Sequence, residues 1–156
     1  MKPKLVALMR EYEECHRHPV NRAIHKVCVP AILFHVLAML DWVGLGTLGS
    51  WSFSLGQLAF VLILAWYFTL DAFLAVLVGL FAALCLTLAP FVPVWAVIVI
   101  AVVAWIFQLI GHARYEKRRP AFAREPLQLL VGPLFVFAIF SGKWGAPGCD
   151  ELLEQS

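Results

Sequence analysis

Three features of this 156-residue chain predict an all-α integral membrane protein. Apolar residues make up 62% of the sequence, well above the roughly 45–50% of soluble domains. The mean hydropathy is +0.85, and all twelve lysines and arginines fall within residues 2–26 or 114–143. The region between them is long enough for several helices of about 20 residues, the length that crosses a bilayer core of about 30 Å. We therefore expect residues 1–156 to form a single polytopic membrane domain.

The elements of this domain follow from the apolar stretches. The leader KLVALMREYEECH predicts a short amphipathic helix, and Pro19 suits the first turn of the next helix. Transmembrane helices are predicted at about residues 23–42, 55–70, 72–89 and 92–111. Asp71 marks a turn between the second and third, which leaves open a helical hairpin that does not fully cross. The connection DWVGLGTLGSWS is expected to be a flexible loop, and the apolar tail 126–141 a re-entrant or interfacial segment, or alternatively a fifth span.

The distribution of basic residues predicts how the bundle is oriented. Lysine and arginine are enriched in the short cytoplasmic loops of membrane proteins. Six basic residues precede the core of the first predicted span, and five follow the fourth within residues 114–124. Both termini are therefore expected on the cytoplasmic side, in a bacterial inner membrane or an ER-type membrane. This arrangement brings the stretches HRHPVNRAIH and GHARYEKRRP to the same membrane face.

Each of these two stretches carries a polar stripe. Asn21 and His25 are four residues apart at the start of the first span, so they share a helix face. Gln108, His112 and Glu116 repeat the same spacing at the end of the fourth span. Polar and ionisable side chains at this depth are costly unless they are paired, and they mark functional sites by default.

Metal binding is the chemistry that these side chains favour. Neutral imidazole is a good ligand for Fe, Zn, Cu and Ni and needs no charge compensation in an apolar setting. His16, His25 and His112 would supply three ligands. Glu116 would be a fourth ligand, or the hydrogen-bond acceptor of a ligating imidazole. The sequence contains no compact metal motif such as HExxH, so spacing alone does not decide the matter.

Other interpretations of the same residues remain open. His18 is expected to cap a helix or to bind lipid headgroups, and His35, about 15 Å deeper than His25, to hydrogen-bond a neighbouring helix. The run RYEKRRP is by default a headgroup anchor. A non-catalytic protein that binds anionic lipid and uses its histidines structurally is therefore one alternative, and a haem protein with paired axial histidines is another. The sequence indicates no nucleic-acid partner and does not specify an oligomeric state.

Three motifs at the two ends of the chain are specific enough to suggest a family. They are YxxxH from Tyr12 to His16, PxNxxIHxxxVP from Pro19 to Pro30, and WxxQxxGHxxxEKRRPA from Trp105 to Ala121. In these stretches the sequence resembles the Mpo1-like family of small membrane proteins. The middle of the chain matches that family only in hydrophobicity.

This resemblance implies an Fe(II)-dependent dioxygenase that catalyses the α-oxidation of 2-hydroxy fatty acids with O2, giving acids one carbon shorter. The family's histidines fall on His16, His25 and His112, which would hold Fe(II). Related chains often carry an acid in the apolar tail where this chain has Ile139. If that acid is a ligand, Glu116 is the residue that would replace it here.

The substrate site is expected beside the metal. Arg118 or Arg119 would pair with the substrate carboxylate as a bidentate fork. Asn21 and Gln108 are assigned to the same site, as hydrogen-bonding residues that orient the metal-binding imidazoles. The acyl tail would lie between apolar helices within the lipid bilayer.

Overall fold

The computed structural model describes residues 1–117, 120–123 and 125–145 and is mostly helical, as predicted. Its helices are α1 (Pro3–Glu14), α2 (Pro19–Asp41), α3 (Leu55–Leu70), α4 (Ala72–Leu88), α5 (Val94–Ile110) and α6 (Gln128–Phe140). A two-stranded antiparallel sheet, β1 (Gly44–Leu48) and β2 (Trp51–Ser54), follows α2. Short 3-10 turns lie at Ala89–Phe91 and Ala121–Ala123, and a π-helical turn, Gly111–Glu116, continues α5.

Three of these helices are long and apolar enough to cross a membrane. They cover Pro19–Asp41, Ala72–Phe91 and Val94–Glu116. The apolar helices α3 and α6 are shorter, and the 16 residues of α3 extend about 24 Å. The chain is therefore a helical membrane-associated protein.

Helix α3 contacts the end of α2 at its start and the N-terminal segment before α1 at its end. At its start, a side chain on Gly56 would meet the Leu37 carbonyl oxygen and the Asp41 nitrogen at 2.9 Å, so only glycine lets α3 approach the end of α2 so closely. At its end, the Leu70 carbonyl accepts a hydrogen bond of 3.4 Å from the Lys2 N–H. The start of α2, the α3–α4 turn and helix α1 therefore share one end of the bundle, opposite the sheet.

The sheet occupies a stretch that was expected to be a flexible loop. Leu48 pairs with Trp51 and Thr47 with Ser52 around a tight turn. Gly49 supplies the positive φ of 63° that this turn requires. Glycines in this segment thus form a hairpin, because a turn of this kind favours residues without a Cβ.

Asp71 forms the corner between α3 and α4, where the sequence predicted a turn. Its carboxylate accepts a hydrogen bond from the Leu74 N–H at 3.0 Å and so caps α4. The ammonium group of Lys143 donates to both carboxylate oxygens at 2.8 and 2.9 Å. This contact ties the segment after α6 to the end of the bundle that carries α1.

Replacing Asp71 by asparagine is expected to lower stability in a pH-dependent way. Burial raises the pKa of Asp71, but hydrogen bonds from Lys143 and the Leu74 N–H, together with the charge of Lys143, lower it further than burial raises it. The carboxylate therefore contributes stability above its unfolded pKa of about 3.9, and this contribution is lost as the pH falls through the lower folded value. We expect Asp71→Asn to cost about 1.5 kcal/mol at pH 7. Thermal unfolding in detergent should show the gap to the wild type narrowing as the pH falls below about 3.9.

The matched control is Glu11→Gln, because Glu11 is an exposed carboxylate on α1. It should change the unfolding temperature little at either pH. A difference between Asp71→Asn and the wild type that stays constant from pH 7 to pH 3 would contradict the assigned role of the carboxylate.

Candidate metal centre

The junction between α1 and α2 folds His16 back toward the bundle. Helix α1 ends at Glu14. The Nδ1 atom of His18 accepts a hydrogen bond from the Val20 N–H at 3.2 Å and so caps α2. Helix capping was one of the two roles predicted for His18. Pro19 occupies the first turn of α2, where its missing N–H leaves no donor unsatisfied. Two helix ends thus fix the chain on either side of His16, which is 2% exposed.

Three histidines from distant parts of the sequence meet at this end of the bundle. His16, His25 and His112 are 2–3% exposed, and one ring nitrogen from each lies within 4.8 Å of the others. Their ring centroids are 4.3 to 5.0 Å apart, with interplanar angles of 76° to 85°. The short distances between their nitrogens would allow the three rings to share one ion.

The hydrogen bonds of two of these rings fix where their protons lie. His16 Nδ1 is 2.6 Å from the Tyr12 carbonyl oxygen, and His25 Nδ1 is 2.9 Å from the Asn21 carbonyl oxygen. A carbonyl oxygen only accepts, so both Nδ1 atoms carry the proton. In neutral rings both Nε2 atoms are therefore unprotonated, and they face each other at 3.0 Å.

Two lone pairs at this distance repel each other unless a cation lies between them. Histidine nitrogens bind zinc-sized ions at about 2.1 Å, so two adjacent ligands of one ion lie about 3 Å apart. The carbonyl acceptors at Nδ1 are also the partners that metal-bound histidines normally have. The donor set therefore fits a transition-metal ion.

The electrostatics around His16 keep its ring in the form that binds metal. Burial lowers the pKa of His16 to about 2, and the proximity of His25 adds to this effect, against the opposing hydrogen bond to the Tyr12 carbonyl. The imidazole is therefore neutral at physiological pH. The Tyr12 ring stacks on it at a centroid distance of 4.0 Å and an angle of 7°, which fixes the ring plane.

His112 reaches the centre from the π-helical turn at the end of α5. Such turns occur frequently at functional sites, because the wider coil re-aims the side chains that it carries. Gly111 lies directly against the Asn21 side-chain oxygen, where a Cβ would overlap that atom. A side chain at position 111 would thus push α5 away from α2 and His112 away from His25.

Glu116 lies outside the group of three imidazoles. Its Oε1 atom accepts hydrogen bonds from the Asn21 side-chain amide at 3.1 Å and from the His18 N–H at 2.8 Å. It therefore joins the end of α5 to the first turn of α2, where the helix dipole favours a negative charge. A part for Glu116 in metal binding stays a prediction.

The remaining predicted site residues, and His35, which was expected to lie outside the site, divide into three groups. Asn21 orients His25 through its main-chain carbonyl, and Gln108 lies buried beside His25. Arg118 and Arg119 lie outside the described residues. His35 is buried away from the cluster. Within residues 1–117, 120–123 and 125–145, neither of its ring nitrogens has a hydrogen-bond partner. The predicted hydrogen bond from His35 to a neighbouring helix is therefore wrong.

Sequence reasoning gave no role to two residues near the centre. Tyr12 appeared only as part of the motif YxxxH, although its position four residues before His16 is the spacing at which helical side chains meet. Gly111 was likewise noted only within a motif. No sequence periodicity signals its contact with Asn21, because that contact depends on how α5 packs against α2.

Comparison with known proteins shows the family of this chain. A profile of the family described as "2-hydroxy-palmitic acid dioxygenase Mpo1-like" matches residues 4–144, which include all three histidines. The chain belongs to the Mpo1-like family. It is 34% identical over 140 residues to the "2-hydroxy-palmitic acid dioxygenase MPO1" of Saccharomyces cerevisiae, a match that covers 86% of this chain and 78% of the yeast protein. No solved structure matches this Mpo1-like chain.

Proposed function

We propose that this Mpo1-like chain is an Fe(II)-dependent dioxygenase that catalyses the α-oxidation of 2-hydroxy fatty acids to acids one carbon shorter. The observation that carries the proposal is the 3.0 Å approach of the Nε2 atoms of His16 and His25, with His112 beside them. Bound Fe(II) would supply a site for O2 and for chelation of the substrate's carboxylate and 2-hydroxyl group. The name of the yeast relative supports this substrate class.

The chain's own residues hold and shield the ion. His16, His25 and His112 are the ligands, and the carbonyls of Tyr12 and Asn21 keep the protons on Nδ1 of the first two. These acceptors increase the basicity of the ligating Nε2 atoms. Burial of all three rings excludes bulk water. Arg118 and Arg119 are the candidates for pairing with the substrate carboxylate.

The geometry favours a small non-haem site over a haem. Two axial ligands on opposite sides of one iron lie about 4 Å apart, with the porphyrin ring between them. The facing nitrogens of His16 and His25 are closer, at 3.0 Å, and the third imidazole lies beside them. This arrangement suits ligands on adjacent positions of one ion.

The proposal places the centre at the cytoplasmic membrane face. In it, α2, α3, α4 and α5 all cross the bilayer, since α3 joins the end of α2 to the end of the bundle that carries α1. Helix α6 is a re-entrant or interfacial segment, and both termini are cytoplasmic because the basic residues lie at that end. The polar head of a membrane lipid would then meet the metal at the edge of the hydrocarbon core.

Turnover of 2-hydroxypalmitate tests the activity. The protein is purified without oxygen, loaded with Fe(II), and exposed to the substrate and ¹⁸O2. We expect a C15 acid that carries the label, as measured by mass spectrometry. Palmitate, which lacks the hydroxyl group, should remain unchanged, and a chelator should stop the reaction. Unchanged 2-hydroxypalmitate with stoichiometric iron on the protein would overturn the proposal.

A further inference from the structure

An apolar cavity of about 240 Å³ lies within the helical bundle. Residues of α2, α3, α4 and α6 line it, and its lining on α2 reaches from Val29 to Leu40, about 16 Å along the helix axis. The lining also includes Tyr12, which stacks on His16, and Gln108, which lies beside His25. The cavity therefore reaches residues that contact His16 and His25, while Leu40 and Phe60 line it toward the β-hairpin.

The size of this cavity restricts its occupant. Pockets for drug-sized ligands usually enclose about 300–1,000 Å³, so 240 Å³ suits a single slender chain. Most of its walls are apolar side chains of leucine, isoleucine, valine and alanine. An unbranched hydrocarbon chain is the ligand that matches this shape and chemistry.

The lining of the cavity includes a side-chain amide without a hydrogen-bond partner. Gln128 lines the cavity and is 1% exposed, yet neither its side-chain oxygen nor its nitrogen has a hydrogen-bond partner in the described part of the chain. A buried amide in this state destabilises the protein unless a ligand satisfies it. Because an amide both donates and accepts, it can bind a carboxylate or a hydroxyl group.

We infer that this cavity binds the acyl chain of the substrate and that the Gln128 amide hydrogen-bonds its polar head. The inference deepens the proposed function and rests on it for the identity of the head group. Gln128 holds the carboxylate and 2-hydroxyl end beside the imidazoles, while the methylene groups extend between α2, α3 and α4. The depth of the cavity then limits the length of the chain that binds with its head at the metal.

Photolabelling locates the acyl chain without requiring turnover. A 2-hydroxypalmitate analogue with a diazirine near its methyl end is irradiated with the full-length protein in lipid nanodiscs, with Fe(II) and without O2. We expect labelled peptides that contain Leu40 or Phe60, at the far end of the cavity. Label confined to the outer groove between α2 and α5, which includes Val27 and Val103, would overturn the inference.

This result separates failure of the inference from failure of the proposed function. Turnover of 2-hydroxypalmitate with label only outside the cavity overturns the acyl site and leaves the dioxygenase proposal standing. Label at the far end of the cavity without turnover contradicts the dioxygenase proposal and supports the acyl site.

Two adjacent alanines on α4 provide a matched pair for chain length. Ala82 lines the cavity, and its neighbour Ala83 is exposed on the outer face. Ala82→Leu should weaken binding of the longest accepted 2-hydroxy acid by about tenfold or more and shift the preference to shorter chains, whereas Ala83→Leu should not. An unchanged chain-length preference in Ala82→Leu would contradict the assignment.

Substitution of Gln128 distinguishes a ligand-binding role from a structural one. Gln128→Leu removes an unsatisfied amide, so the ligand-free protein should unfold at the same or a higher temperature. Its affinity for 2-hydroxypalmitate should fall at least about tenfold, while iron binding is retained. The control Gln57→Leu alters an exposed amide on α3 and should leave affinity unchanged. Wild-type affinity in Gln128→Leu, or a lower unfolding temperature with unchanged affinity, would overturn the role of this residue.

Discussion

Replacing His25 or His112 by alanine is expected to remove iron from the protein and abolish dioxygenase activity. Each substitution deletes one of the three imidazoles that we propose as ligands, whose nitrogens lie within 4.8 Å of one another. Loss of an outer partner of a metal ligand typically costs 10–100-fold in affinity, so loss of a ligand itself should cost more than about 100-fold. Iron per chain, measured after anaerobic loading and desalting, should fall to background.

His35→Ala is the control for this experiment. His35 lies on the same helix as His25 and is equally buried, at 4% compared with 3%, but it lies outside the cluster. The His35→Ala variant should retain iron and activity, although it also loses a buried histidine side chain. Full retention of iron in both His25→Ala and His112→Ala would remove the metal centre and leave a helical membrane protein with structural histidines.

Gly111→Ala is expected to damage the centre without touching a ligand. The added methyl group would overlap the Asn21 side-chain oxygen, and it would lie 3.5 Å from the Ile24 side chain. Either α5 moves away from α2 or Asn21 rotates and loses its bond to Glu116. We expect a destabilisation of about 2–3 kcal/mol from overpacking. Because His25 depends on the Asn21 carbonyl, iron affinity should also fall by about 10–100-fold.

The matched control is Gly44→Ala in the first strand of the hairpin. A Cβ at Gly44 meets no atom within 4 Å, and its φ is not positive. Chemical unfolding and iron titration of the two variants should therefore differ clearly. Wild-type iron affinity in Gly111→Ala would show that the close contact between α2 and α5 does not position the imidazoles.

The helical elements and the histidine cluster were accessible from the sequence for different reasons. Long apolar runs have few alternatives in a membrane, so helix positions such as 55–70 and the turn at Asp71 followed directly. The meeting of His16, His25 and His112 followed from placing two distant polar ends at one membrane face. That argument needed only the direction of each helix, which the distribution of basic residues supplied.

The details that depend on packing were not accessible. The prediction that Gln108, His112 and Glu116 share one face required a regular α-helix through Glu116. The π-helical turn changes the direction of the side chains after Gly111. Glu116 consequently meets Asn21 and the start of α2. The lack of a hydrogen-bond partner for the Gln128 side chain likewise depends on three-dimensional packing. The sequence shows only that Gln128 lies in an apolar segment.

X-ray absorption at the iron K-edge of the anaerobic, Fe(II)-loaded wild type tests directly whether three imidazoles bind one iron. We predict one iron per chain and scattering from three imidazole rings. The remaining ligands should be light atoms such as oxygen. Iron that binds with sulfur ligands or without imidazole scattering, or a protein that retains no iron under these conditions, would contradict a centre built from residues 16, 25 and 112.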